Sequence, residues 1–257
     1  MPEQIPDNSI DIQHPRSVNA TAALIHNWPV VSTLWLLLAI PGIPAILIVS
    51  LLMTSLLFGP VESALLLSFI NPLYIASPWA VIVHGGSGAI FFLTMPWQFS
   101  PALRHKHPKW HRASGRLVLL SGYTMAVSGV WMHLSLTPDE LGMRFIGLLA
   151  LSGGMMLAFS MAFYAVLNRQ FDRHKRWMCR AVAMTLAVVT PLFITLVADL
   201  TLGQVDAIQP LLTPFFHDYD RLLGIGLNLL IAEWLLRKKV IVQPKAALMP
   251  SSFHKNN

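Results

Sequence analysis

Long apolar stretches alternate with short polar segments along the chain, and this alternation predicts a bundle of membrane-spanning helices. A helix needs about 20 mostly apolar residues to cross the hydrocarbon core of a bilayer. The sequence predicts about six such spans, which lie near residues 30–58, 79–102, 113–135, 143–167, 177–201 and 216–236. Each is too long and too uniformly apolar for a membrane β-barrel strand, whose polarity alternates over about 10 residues. We therefore predict an all-α fold, a polytopic membrane helix bundle.

A transmembrane domain over residues 30–237 is predicted between two polar tails. The N-terminal tail, residues 1–29, carries several acidic residues, and the C-terminal tail, residues 238–257, is basic. The apolar core of a signal peptide is about 7–15 residues long. The first apolar run is longer than that, so we expect it to remain as a membrane anchor.

Two places interrupt the apolar pattern. Pro41-Gly42-Ile43-Pro44 lies inside the first span. Its prolines are expected to kink or break the helix, because each removes a backbone donor. The apolar segment 61–76 is short for a span and contains Asn71-Pro72, so we expect it to be interfacial or re-entrant.

The distribution of charge gives the predicted bundle an orientation. Only 12% of the residues are charged, 54% are hydrophobic and the net charge is +6, whereas soluble domains carry about 25% charged residues. Fifteen of the 18 lysines and arginines lie in or beside the loop between spans two and three, the loop between spans four and five, and the C-terminal tail. Lys and Arg concentrate in cytoplasmic loops, so we expect both termini in the cytoplasm. Topology therefore explains the basic charge, and no nucleic-acid partner is inferred.

The motif content excludes several classes of site. The single cysteine, Cys179, leaves no intramolecular disulfide and no CxxC zinc site. The chain also lacks a Walker loop and the patterns GxGxxG, GxSxG and HExxH. These absences argue against an ATP-driven or NAD-binding domain within this chain.

One face of span three groups histidines with glycines. His111, Gly115, Gly122, Gly129 and His133 fall within about 40° of one another at 100° per residue, over about 33 Å of helix. Such a face suits the edge of a flat macrocycle, and histidine commonly ligates haem iron. The alternative is a helix-packing groove, which glycines at seven-residue spacing more often form.

Two pairs of histidines are candidate haem b ligands. His174 opens span five at the same depth as His111, and these two form the inner pair. His84 in span two and His133 at the far end of span three form a weaker outer pair. Consecutive helices usually pack 8–10 Å apart, which is tight for a haem between two histidines.

Three arginines stand beside the inner pair in the sequence. Arg112, Arg116 and Arg180 are expected to neutralise the haem propionates, because guanidinium groups bind carboxylates strongly. The alternative is that the His-Arg-Trp motifs are structural or bind lipid phosphate at the membrane surface.

Two further polar residues inside the spans need partners. Glu233 in span six is expected to pair with Arg180 or Arg116, and a proton-relay role is the less favoured alternative. Gln98 is expected to satisfy backbone groups freed by Pro96.

Two motifs carry a resemblance to a known family. The chain resembles the multi-span membrane proteins of domain of unknown function 2306, through His111-Arg112-Ala113-Ser114-Gly115-Arg116 (HRxxGR) and His174-Lys175-Arg176-Trp177-Met178-Cys179-Arg180 (HxxWMxR). Weaker matches extend the resemblance over residues 80 to 237; they are His84, Pro96-Trp97-Gln98-Phe99, Asn228 and Ala232-Glu233-Trp234. The resemblance implies a multi-pass membrane protein of unknown biochemical role, with a helix layout similar to b-type transmembrane cytochromes.

Two functions remain in competition. The first is a b-type haem protein of the cell membrane that moves electrons across or within the bilayer, with a membrane electron donor or acceptor as its partner. The second is a non-enzymatic membrane protein, either a small-solute transporter or an assembly subunit. In that case the same residues are structural or contact the lipid.

Overall fold

The computed structural model of the chain describes residues 28–59, 71–202 and 209–241. Within these ranges it contains nine α-helices, one 3₁₀ helix and no strand, which confirms the all-α helix bundle. The helices are α1 (Trp28–Phe58), α2 (Pro72–Ala76), α3 (Pro78–Thr94), α4 (Pro101–Lys106), α5 (Pro108–Leu136), α6 (Met143–Leu167), α7 (Phe171–Leu186), α8 (Thr190–Leu202) and α9 (Gln209–Ile241). The 3₁₀ helix, Pro96–Phe99, joins α3 to α4.

The described helices supply four to five membrane spans on length and composition, rather than six. The helices α1, α3 with its 3₁₀ extension, α5 and α6 each qualify, and α7 with α8 forms a fifth candidate that is bent by 50°. The predicted sixth span lies in α9, which has 33 residues. Asp220, Arg221 and Glu233 interrupt its apolar surface, so α9 does not qualify on composition.

The first span is one continuous helix, so its two prolines do not break it; the alternative expectation, a kink, stays a prediction. The helix α1 runs through both Pro41 and Pro44. Backbone groups released inside a bilayer find no water to bind, which favours continuing the helix past a proline. Gly42, between the prolines, lies against Phe92 of α3; a Cβ at Gly42 would be 2.5 Å from the Phe92 ring.

Several sequence predictions concern segments outside the described residues. Residues 1–27, 60–70, 203–208 and 242–257 belong to this group. The two polar tails therefore stay largely a prediction, as does the path of 61–76, of which only 71–76 is described. The cytoplasmic placement of the basic loops also stays a prediction.

We call the end of the bundle formed by α4 and the starts of α5 and α7 the basic end.

The helices pack in a chain of neighbours around a shared apolar core. The helix α5 packs between α3 and α6, and α6 packs against α7 and α9. Phe159 of α6 is fully buried at the centre of this core, with its ring edge-on to Phe91 of α3 at 6.0 Å. Val118 of α5 and Met178 of α7 belong to the same core. This arrangement places α6 as the common neighbour of α5 and α7, whose starts carry the inner histidine pair.

The fifth span bends where α7 gives way to α8, and α9 braces the bend. Pro191 has no backbone N–H, and the Ala187 N–H bonds to the carbonyl three residues earlier instead of four. The Ala183 carbonyl, freed by this tightening, accepts a 3.1 Å hydrogen bond from Asn228 Nδ2 of α9. The Thr190 hydroxyl donates to Asn228 Oδ1 at 2.9 Å. Asn228 thus satisfies the polar groups that the bend exposes.

Candidate functional site

The glycine face of α5 is filled by protein side chains. A Cβ at Gly122 would lie 2.6 Å from the Phe159 ring, and one at Gly129 would lie 3.2 Å from Cε1 of His84. At Gly115 the neighbour is Gln98, whose Oε1 would be 3.2 Å from such a Cβ. The glycines therefore admit close neighbours from α6, α3 and the 3₁₀ helix. Glycines at seven-residue spacing typically form such a helix-packing groove.

The outer pair makes structural contacts. Nδ1 of His84 lies 3.1 Å from the Met125 carbonyl and 3.2 Å from the Ser128 hydroxyl, and these contacts fasten α3 to α5. His133 is buried, and its Nε2 donates to the Glu140 carbonyl at 2.8 Å. The Thr137 hydroxyl lies 3.3 Å from the other ring nitrogen of His133. Both nitrogens of His133 thus have protein partners that close the loop between α5 and α6.

His174 of the inner pair is oriented by the backbone of α6. Its Nδ1 lies 2.9 Å from the Ala162 carbonyl. A carbonyl oxygen only accepts hydrogen bonds, so Nδ1 carries the proton and Nε2 carries the free electron pair. A histidine that ligates a metal is commonly held in this way, with one ring nitrogen bound to a carbonyl and the other presented to the metal.

His111 is the second member of the inner pair, and one of its nitrogens has no partner. The imidazole is half-buried, and its Nδ1 is buried without a hydrogen-bond partner in the described part of the chain. His174 lies close enough to interact with His111 electrostatically, and Arg104 of α4 interacts with both. Buried polar atoms are rarely left unpaired. The described residues therefore leave the bonding capacity of the His111 Nδ1 atom unused.

Arg104 is absent from the predicted site residues, and Arg180 is bound to Glu233. The Arg180 Nε donates to the Glu233 carboxylate at 2.6 Å, which confirms one of the two partners predicted for Glu233. The Arg180 guanidinium also lies over the Trp177 ring, 4.6 Å from its centroid. Arg180 thus ties α7 to α9, whereas Arg104 stands beside the histidines. The closeness of Arg104 to the histidines follows from the packing of α4 on α5, for which the sequence offers no signal.

Gln98 binds a side chain of α5. Its Nε2 donates to the Ser114 hydroxyl at 2.7 Å, and that hydroxyl donates to the Trp110 carbonyl at 2.9 Å. The expectation that Gln98 satisfies the backbone freed by Pro96 is therefore wrong. The bond instead fixes the 3₁₀ helix against the start of α5, next to His111.

The basic end carries arginines that no described carboxylate neutralises. Asp172 of α7 is paired with Lys175 at 3.1 Å, and Glu233 of the adjoining helix α9 is paired with Arg180. Within the described residues, Arg104, Arg112 and Arg116 have no ion pair. This end of the bundle therefore has the charge to hold an anionic group.

Protein side chains alone do not form a metal site in the described ranges. No group of three His, Cys, Asp or Glu residues comes together there, whereas a protein-held zinc needs three or four ligands. A haem iron would take four nitrogens from its porphyrin, so the two histidines of the inner pair would be enough to hold it.

Comparison with known proteins places the chain in a family. The family model described as a predicted membrane protein, domain of unknown function 2306, matches residues 81–213, just over half of the chain. The chain belongs to this family. The match contains all four candidate histidines of the inner and outer pairs. It ends at residue 213, before Asn228 and Glu233, whereas the resemblance described from the sequence motifs extends to residue 237. The searches of curated proteins and of solved structures each found no significant match.

Proposed function

We propose that this member of the DUF2306 family is a b-type haem protein that holds one haem at the basic end of the bundle. His111 of α5 and His174 of α7 would hold the haem iron. The observation that carries the proposal is the buried Nδ1 of His111, which no described residue bonds, within electrostatic reach of a His174 ring whose Nε2 bears the free electron pair. Bound haem supplies a one-electron redox couple, tuned by its axial ligands and by its exposure to solvent.

The surrounding residues perform the supporting tasks. The Ala162 carbonyl fixes the tautomer and the orientation of His174, which raises the basicity of its Nε2. Arg104 and Arg112 both act electrostatically on His111, and they supply positive charge for carboxylates bound beside it. Arg116 lies at the same end of α5 and adds positive charge there. The charge of Arg180 is largely neutralised by its bond to Glu233, so Arg180 adds little positive charge for a bound carboxylate.

We propose a haem site at the inner histidine pair only, and none at the outer pair. Both nitrogens of His133 already have protein partners, and the His84 ring fills the space at Gly129. A haem held there would exchange electrons within the leaflet at the basic end, which the positive-inside rule assigns to the cytoplasm. The partners are a membrane-borne or cytoplasmic electron donor or acceptor, and the location is the cell membrane, which in a bacterium is the cytoplasmic membrane.

One observation favours a second candidate, a non-enzymatic transporter or assembly subunit. The Arg180–Glu233 pair and the Arg180–Trp177 contact give the HxxWMxR motif a structural task, the attachment of α7 to α9. Under this candidate the histidines at the starts of α5 and α7 bind no iron.

The haem content of the purified protein separates the two candidates. The full chain is produced in a haem-replete host, and haem per chain is measured after extraction for the wild type and for His111→Ala and His174→Ala. His105→Ala is the matched control, since His105 is an exposed histidine of the neighbouring helix α4. We expect one haem per chain in the wild type and the control, and loss of most haem in each of the other variants. A folded wild type without haem, judged by circular dichroism and gel filtration, would overturn the proposal and support the second candidate.

A further inference from the structure

Three cationic side chains of α5 form a stripe on its lipid-facing side. Lys109, Arg112 and Arg116 are exposed and fall within about 60° of one another at 100° per helical residue. The same side of the helix continues with Leu120 and Val127, which are 65% and 58% exposed. Exposed apolar side chains on a membrane span face the lipid. The stripe therefore points toward the headgroup region and away from the bundle core.

The stripe lacks neutralising protein groups among the described residues. The carboxylates of Asp172 and Glu233 are both bound to other basic residues of the basic end. His111 lies about 140° around the helix from Arg116, so Arg116 does not face the proposed haem ligands. Arg112 also acts on His111 and is shared with the proposed haem site, whereas an anion bound at Arg116 is a separate ligand from the haem.

An apolar groove begins directly beyond the stripe. It has a volume of about 300 Å³, opens to the lipid between α3 and α5, and is lined by residues that include Ile82, Gly86, Ile90, Leu117 and Leu120. Leu117 follows Arg116 in the chain, so the charged and apolar parts are continuous. Apart from Gly86, its two chain neighbours and the backbone of its own helix, no atom of the described residues lies within 4 Å of the position that a Cβ at Gly86 would take. The absence of a side chain at Gly86 therefore keeps part of the groove open.

We propose that the stripe and the groove together bind one anionic phospholipid from the leaflet at the basic end. The phosphate lies between Arg112 and Arg116, with Lys109 adding charge, and one acyl chain occupies the groove beside Gly86. Arginine pairs closely with phosphate oxygens, and basic residues at a membrane surface attract anionic lipids. A neutral phospholipid fills the groove equally well but carries no net charge for the stripe.

The test compares two lipids on the purified full-length protein. Native mass spectrometry counts the lipids retained after titration with dioleoylphosphatidylglycerol or with dioleoylphosphatidylcholine. The charge variant is Arg112→Gln/Arg116→Gln, and its matched control is Arg173→Gln/Arg176→Gln, two exposed arginines of α7. The groove variant is Gly86→Leu, and its matched control is Gly153→Leu, a glycine of α6 that also has open space around it.

We expect the wild type to prefer phosphatidylglycerol, and the charge variant to bind it at least about tenfold more weakly. Gly86→Leu should lower the binding of both lipids at this site, because it fills the place of the acyl chain. Both controls should bind as the wild type does. Equal retention of the two lipids by the wild type, undiminished phosphatidylglycerol binding in the charge variant, or an equal loss in the Arg173/Arg176 control would each overturn the proposal. The haem content is expected to be unchanged in Gly86→Leu, so failure here is distinguishable from failure of the haem proposal.

Discussion

The Arg180 guanidinium of α7 donates a 2.6 Å hydrogen bond to the Glu233 carboxylate of α9 and lies over the Trp177 ring. The two ends of this bond are 53 residues apart in the sequence, so it joins helices that no short loop holds together. Both side chains retain partial exposure, 26% for Arg180 and 36% for Glu233. Water and lipid headgroups therefore weaken the pair without abolishing it.

Removing the charge of Glu233 should loosen this attachment modestly. We predict that Glu233→Gln lowers the free energy of unfolding by about 1 kcal/mol, the upper range for partly exposed ion pairs. Thermal unfolding in detergent measures the change as a lower Tm. Asp172→Asn is the matched control, because its pair with Lys175 is more exposed, and its Tm should stay near that of the wild type. An equal effect in both variants would contradict a specific role for the Arg180–Glu233 pair.

A side chain at Gly122 should disrupt the centre of the bundle. We predict that Gly122→Val costs about 1–3 kcal/mol, because its Cβ would overlap the fully buried Phe159 ring and overpacking a core has this magnitude. Gly153→Val on α6 has open space and serves as the control. The Tm should fall in the first variant only. Truncating the opposing ring in Gly122→Val/Phe159→Ala should remove the clash, so that the two substitutions together cost less than their sum.

Asn228 should control the bend between α7 and α8. We predict that Asn228→Leu destabilises the protein by about 1–3 kcal/mol, because the Ala183 carbonyl loses its donor and an unpaired buried polar group has this cost. The amides of Val188 and Val189 at the bend should also exchange with deuterium faster. Asn168→Leu is the control, since Asn168 is exposed and bonds only its own helix end at Tyr164. Unchanged exchange at the bend in Asn228→Leu would show that α9 does not brace it.

His84 should prove structural. We predict that His84→Ala lowers the Tm, because the substitution removes the contacts with Met125 and Ser128 that fasten α3 to α5. The haem content per chain should nevertheless remain that of the wild type. Loss of half the haem in a folded His84→Ala protein would contradict the single-site account and indicate a second haem at the outer pair.

The sequence predicted the features that a bilayer imposes on every span. Five of the six predicted spans coincide with helices or helix pairs that qualify, because hydropathy alone decides which segments can enter lipid. The partner of Glu233 was also foreseeable, since a carboxylate in a span needs a cation and few were within reach. The spans and the partner of Glu233 were predictable because each depends only on the type of a residue and on its depth in the membrane.

Features that depend on the contacts between helices were not predictable. A helical wheel placed the glycines on one face of α5, but it did not reveal that Phe159, Gln98 and His84 would fill that face. The bend at Ala187 likewise depends on Asn228, which is far away in the sequence. The sequence does not predict that Arg104 lies close to His111 and His174. This closeness follows from the turn between α4 and α5, and residue spacing does not specify the geometry of that turn.

The visible difference spectrum of the purified wild-type protein, dithionite-reduced minus air-oxidised, tests the central claim most directly. If His111 and His174 are axial ligands of one haem b, the spectrum shows a Soret band together with the sharp α and β bands of a low-spin, bis-histidine iron. These bands should vanish in His111→Ala and persist in His105→Ala. A well-folded wild-type protein from a haem-replete host that shows no such bands would contradict the account.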